Sequence, residues 1–121
     1  AGVSASVRLL LTTCPEDAAD ALAEALLRRR LVACVNLVRG VKSRYWWKGK
    51  LESAGECLLL LKAPAGGVSA VAAALTELHP YETPELLALP VESGLPAYLE
   101  WIEEVTAPRA RAAARRRRRG S

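Results

Sequence analysis

Two hydrophobic periods alternate along this chain. Val7 to Thr13 is an almost unbroken apolar run, the pattern of a strand covered on both faces. Ala19, Leu22, Ala23, Leu26 and Leu27 then recur at helical spacing and predict an amphipathic helix. Its start is expected at Thr13-Cys14-Pro15-Glu16, where a threonine hydroxyl caps the third backbone amide and Glu16 reaches back. Arg28, Arg29 and Arg30 fall at its end, where cations favour the negative pole of the helix dipole. Leu31 to Val38 and about Glu56 to Lys62 read as a second and third strand, and Ser43 to Lys50 as the far end of a long hairpin between them. Pro64-Ala65-Gly66-Gly67 breaks the chain. Val68, Val71, Ala72, Leu75 and Leu78 predict a second helix that stops where Pro80 holds His79 extended. Leu86 to Val91 reads as a fourth strand, and its Pro90 requires an edge position or a strand end. Pro96 opens a last helix with the stripe Tyr98, Trp101, Ile102 and Val105.

The order strand, helix, strand, strand, helix, strand predicts an α+β, ferredoxin-like βαββαβ sandwich with an extra C-terminal helix. The expected layers are helices on one face of a four-stranded antiparallel sheet. Because the strands read as apolar on both sides, the other sheet face needs cover, and association of copies supplies it most simply.

Composition narrows this picture. A chain of 121 residues, 51% hydrophobic, has room for one core. With no Phe or Met, Leu, Val and Ala must fill it. The formal charge of +4 misleads, because seven arginines lie at Arg109, Arg111 and Arg115 to Arg119. Residues 1–108 therefore hold ten basic and thirteen acidic groups, net −3, and form the expected domain. The arginine run repels itself, so residues 109–121 are expected to be a solvated, disordered tail or an arm for nucleic acid phosphates, ending in Gly120-Ser121 like a cloning remnant.

Cys14, Cys34 and Cys57 are odd in number and lack a Cys-x-x-Cys pair, which argues against a disulfide framework. No apolar run approaches the roughly 18 residues of a membrane span. The expectation is a soluble protein of a reducing compartment, the cytoplasm. The first residue is not Met, so trimming of a targeting segment stays open.

Candidate chemistry concentrates at His79-Pro80-Tyr81-Glu82-Thr83-Pro84-Glu85, which holds the only histidine beside a phenol and two carboxylates. His79, Cys34 and Glu82 form the expected metal set, since thiolate and imidazole suit Cu(I), Cu(II) or Zn, although no paired motif supports a site by spacing alone. The alternative reading has His79 capping helix carbonyls and the cysteines buried as small hydrophobes. Lys62, Tyr81 and Lys50 are the candidates for a small ligand. Tyr45, Trp46 and Trp47 are expected to pack between subunits, with stacking on a planar ligand as the alternative. Lys62 and Glu56 also offer an ion pair between subunits. Enzymatic turnover is not expected, since the chain shows neither a glycine-rich nucleophile elbow nor a phosphate-binding Gly-rich loop.

Six motifs in order give this chain a specific likeness. They are Thr13-Cys14-Pro15, Leu31-Val32-Ala33-Cys34-Val35-Asn36-Leu37, Ser43-x-Tyr45-x-Trp47-x-Gly49-Lys50, Glu56 to Lys62, His79-Pro80-Tyr81-Glu82-x-Pro84-Glu85, and Tyr98-Leu99-x-Trp101. Over residues 7–106 the sequence resembles the CutA family of divalent-cation tolerance proteins. The resemblance implies a ferredoxin-like protomer in a tight homotrimer, similar to the trimeric nitrogen-regulatory signalling proteins, with small-ligand clefts between subunits. It also implies a non-catalytic part in tolerance of copper and other divalent metals, through metal binding. The alternative it leaves is a signalling trimer that takes a small anionic ligand in those clefts. Ala63, where the family often has Thr, and the arginine tail depart from the pattern.

Overall fold

A computed structural model describes residues 6–120. Strand β1 (Val7–Cys14) leads through a 3-10 turn (Glu16–Ala18) into helix α1 (Ala19–Arg28). Strands β2 (Cys34–Trp47) and β3 (Lys50–Pro64) form the long hairpin. A second 3-10 turn (Ala65–Gly67), helix α2 (Val68–Leu78), strand β4 (Leu87–Pro90) and helices α3 (Pro96–Val105) and α4 (Pro108–Gly120) complete the chain. The sheet is antiparallel in the order β2-β3-β1-β4, the ferredoxin-like arrangement. β4 lies at the edge, so Pro90 removes no inner ladder bond.

Side-chain alternation divides the sheet into two unlike faces. On one, Leu10, Cys14, Cys57, Leu59, Leu61 and Ala63 pack with Ala19, Leu22 and Leu26 of α1 and Val71 and Leu75 of α2. Each of those six sheet residues is fully buried. The bidentate Arg29 to Glu77 pair, both N···O distances 3.1 Å, ties α1 to α2 at the rim of this layer.

The second face alternates with the first and is only partly covered. Val7 meets Leu99 and Ile102 of α3 there, so α3 crosses to the side opposite α1 and α2 and not all helices share one face. Beyond α3, register aligns Leu87 with Leu11 and Leu60, and Leu89 with Leu9. Leu87, Leu89 and Val38 keep 56%, 41% and 43% of their surface exposed.

Three local expectations are corrected. Thr13 does not cap α1: it pairs with Leu58 inside β1, and the helix starts after the 3-10 turn with no side-chain cap. Pro15, which has no N–H to donate, ends the strand, and Glu16 and Asp17 take the helix entrance. The hairpin strands are also longer than their apolar runs, because ladder bonds extend through the polar arm to Trp47 and Lys50.

The third correction concerns residues 109–121, expected to be disordered, since 108–120 form α4 and Ser121 lies outside the described residues. Alanine and arginine are strong helix formers, Pro108 suits a first turn, and the arginines crowd the end where the helix dipole favours cations. Arg111 donates to the Thr106 carbonyl and Ala114 is buried, which anchor the first turns.

Candidate functional site

The turn between α2 and β4 sits against the ends of β1 and β3 through His79. The helix stops because His79 takes an extended backbone before Pro80, while its N–H still bonds the Leu75 carbonyl at 2.8 Å. Its ring then bridges two segments. Nδ1 accepts the Tyr81 N–H at 3.1 Å, which leaves Nε2 to donate to the Thr13 carbonyl at 2.8 Å. Both ring nitrogens of this buried residue are thus used inside its own chain.

The Tyr81 ring stacks at a tilt on His79, with centroids 4.8 Å apart, and its hydroxyl donates to Glu56 Oε2 at 2.6 Å. A charge-assisted bond of that length is among the stronger single contacts a side chain makes. Glu56 is only 4% exposed, so the phenol supplies a donor that a desolvated carboxylate requires. Burial first, and then the bond to Glu56, push the Tyr81 phenol well above its ordinary range. Thr13 Oγ1 lies 3.5 Å from Glu85 Oε1 and draws the far end of the turn to the same place.

These contacts frame a cleft of about 660 Å³ between the turn, β1, β3 and the arm. Its walls include Glu56, Glu82 and Glu85, the phenol of Tyr81, and Arg44, Tyr45 and Trp47 from β2. Three carboxylates face one guanidinium, so the lining favours a cationic guest. The arm reaches the cleft because Lys48 (φ 50°) and Gly49 (φ 79°) make a two-residue turn with both central residues left-handed, which matches the twist of its strands. A bulge between Val38 and Val41 swings the arm, and Arg39 clamps the bulge to the α1 entrance through Asp20 at 2.6 Å and Glu16 at 3.8 Å.

The residues expected to act together fall in several places. Tyr81 and Glu82 line the cleft with Tyr45 and Trp47, and His79 stands behind it. Cys34 registers with Lys62, and Lys62 with Leu9, whereas His79 bonds Thr13, four residues or about 13 Å along β1. The structure therefore does not bring Cys34 to His79 and Glu82 within one protomer, and among the described residues no three His, Cys, Asp or Glu side chains group to hold a metal ion. Lys62 Nζ lies 3.6 Å from Cys34 Sγ and donates to Asn36, and Tyr98, its phenol raised first by burial, faces the same thiol. Lys50 lies at the arm tip opposite Trp47 and outside the cleft. Trp46, 70% exposed, and Trp47, 41% exposed, are open in the single chain. The sequence marks Glu85 as a carboxylate of the turn and Glu56 as an ion-pair partner for Lys62, but it does not mark Thr13 or Arg44 as site residues, and it does not place Glu56 beside Tyr81. Glu56 had one readable signal, a lone carboxylate leading an apolar strand; for the others only the fold supplies the meeting.

Comparison with known proteins agrees with this architecture. A model of the family described as CutA1 divalent ion tolerance protein matches residues 8–105. The chain is 46% identical over 95 residues to the divalent-cation tolerance protein CutA of Pectobacterium atrosepticum, covering 78% of this chain and 86% of that protein. It is 44% identical over 105 residues to the mouse protein CutA, covering 86% of this chain but only 59% of the mouse protein's length. Among solved structures, CutA from Xylella fastidiosa superposes with a TM-score of 0.79 at 42% identity, over 82% of this chain and 96% of that one.

Proposed function

Because the chain belongs to the CutA1 family of divalent ion tolerance proteins, we propose that it serves metal tolerance by binding the ion itself, copper first and zinc second, as a homotrimer and without turnover. The observation that carries this reading is the acid-rich cleft at the end of the uncovered apolar sheet face. Glu82 and Glu85 are exposed carboxylates on its wall, and Glu56 is held inward by Tyr81. Carboxylate oxygens bind Zn(II) directly, and nitrogen or sulfur donors added by a second copy suit copper. One protomer offers an incomplete ligand set, and the cleft adjoins the face that a second copy would cover. A neighbouring subunit therefore supplies the remaining ligands, with Tyr45, Trp46 and Trp47 packing at the same boundary. A reducing compartment such as the cytoplasm suits the three free thiols.

The cleft's charge disfavours the anionic-ligand alternative: Lys50 and Lys62 lie outside it and Arg44 is outnumbered. Calorimetric titration of the full chain with Cu(II) and Zn(II) tests the proposal, with oligomer mass recorded by light scattering. Glu85→Gln and Glu82→Gln are each expected to weaken binding at least about tenfold with the trimer intact, as loss of a ligand does at a metal site. Undiminished binding in both, but loss in Cys34→Ser, would move the site to the Cys34 and Lys62 pair. No saturable binding in the parent protein would end the metal reading.

A further inference from the structure

On the reverse side of the sheet, behind the cleft, the register sets Cys14 of β1 directly opposite Cys57 of β3. We propose that these two form a disulfide-forming dithiol, a peroxide-sensitive modification site built into the two central strands. Directly opposed residues of an antiparallel pair have Cα atoms about 4.5 to 5.5 Å apart, inside the 4.4 to 6.8 Å span of disulfides. Both side chains enter the same helix-covered layer and both are fully buried, with no residue of either strand between them. The third thiol is out of reach: Cys34 lies opposite Lys62 on the other side of the sheet.

Both thiols are free in the structure, and their surroundings keep them at rest. Burial, with a smaller contribution from Cys57, pushes the Cys14 thiol up to about 11, and burial raises Cys57 as well. Access comes at the strand end. Cys14 is the last residue of β1, and Pro15 beyond it cannot donate to the ladder, so opening of this strand end is the step that lets peroxide reach Cys14. The exposed Cys14 thiolate attacks hydrogen peroxide. A sulfur–oxygen bond forms, the oxygen–oxygen bond breaks, and hydroxide leaves as water with the thiol proton, giving a sulfenic acid. Cys57 sulfur then attacks Cys14 sulfur: the S–S bond forms, the S–O bond breaks, and the hydroxyl leaves as a second water with the Cys57 proton. Two thiols and one peroxide become one disulfide and two waters. The neighbours on the opposite face are Thr13 and Glu56, both cleft residues, so the bond would fasten the cleft floor from behind.

The test treats the folded full-length Cys34→Ser protein with hydrogen peroxide, denatures it and alkylates it. The expected result is a fall from two alkylatable thiols to none, a peptide map joining the Cys14 and Cys57 fragments within one chain, and recovery of both thiols with dithiothreitol. Cys14→Ala and Cys57→Ala in the same background are expected to give no intrachain link. The proposal is overturned if both thiols stay alkylatable while the peroxide-treated control protein oxidises, if Cys14 passes to sulfinic acid without a link, or if links form only between chains.

Discussion

At the scale of single residues, the turn holds by satisfying buried polar groups. His79→Ala would strip the Thr13 carbonyl of its ring donor and the Tyr81 N–H of its acceptor. A loss of about 1–3 kcal/mol in unfolding free energy is expected, read from the urea midpoint at unchanged slope. Alkaline pH probes the neighbouring groups. Cys14 has a folded pKa of about 11 against an ordinary 9.0, so the unfolded chain releases that proton first as pH rises. Its contribution is therefore complete below about pH 9 and is lost through the window up to about 11, by about 2–3 kcal/mol at most. The raised Tyr81 phenol acts in the same direction from about pH 10 upward. Urea midpoints should fall as pH rises across this range, with a smaller fall in Cys14→Ala and less loss at the upper end in Tyr81→Phe. The sequence marked His79, Tyr81 and Glu82 because they crowd a proline-bounded turn. Nothing in it paired Tyr81 with Glu56, twenty-five positions upstream, since that contact exists only when β3 lies beside the turn.

At the scale of elements, hydrophobic period located every strand and the first three helices, while their ends followed other rules. β2 and β3 outrun their apolar cores because a hairpin ladder needs backbone partners and a competent turn, not buried side chains. Gly49 carries the tighter requirement at that turn, with φ 79° and no atom within 4 Å of an added Cβ. Gly49→Ala is therefore expected to cost about 1 kcal/mol purely through backbone conformation. Hydrogen exchange should report it as faster exchange across residues 42–53, with the β1–β3 amides unchanged. In α4 the like charges that suggested disorder lost to the helix propensity of alanine and arginine and to the Arg111 anchor at Thr106.

At the scale of the whole molecule, the two faces of the sheet divide the work. One is sealed by α1 and α2; the other leaves Val38, Leu87 and Leu89 open beyond α3, a patch of the kind that marks a contact surface. Leu89→Glu places a charge in that patch without touching the sealed layer. If the proposed homotrimer closes over this patch, light scattering is expected to show a mass reduced to that of a monomer while far-ultraviolet circular dichroism keeps the parent's secondary structure. An unchanged mass would assign association to the arm instead, where Trp46 and Trp47 remain exposed.

The sequence by itself determined the order of the four strands and the first three helices, the antiparallel α+β sandwich, and an edge position or strand end for Pro90. These follow from side-chain period and from the fixed geometry of proline, both local properties of the chain. Tertiary structure alone decided which polar residues meet. It gathered Thr13, Glu56 and Glu85 around Tyr81, kept Cys34 about 13 Å along the sheet from His79, and set Cys14 against Cys57. Strand register and helix packing carry those meetings, and register is set by pairing between segments tens of residues apart, which no local pattern encodes.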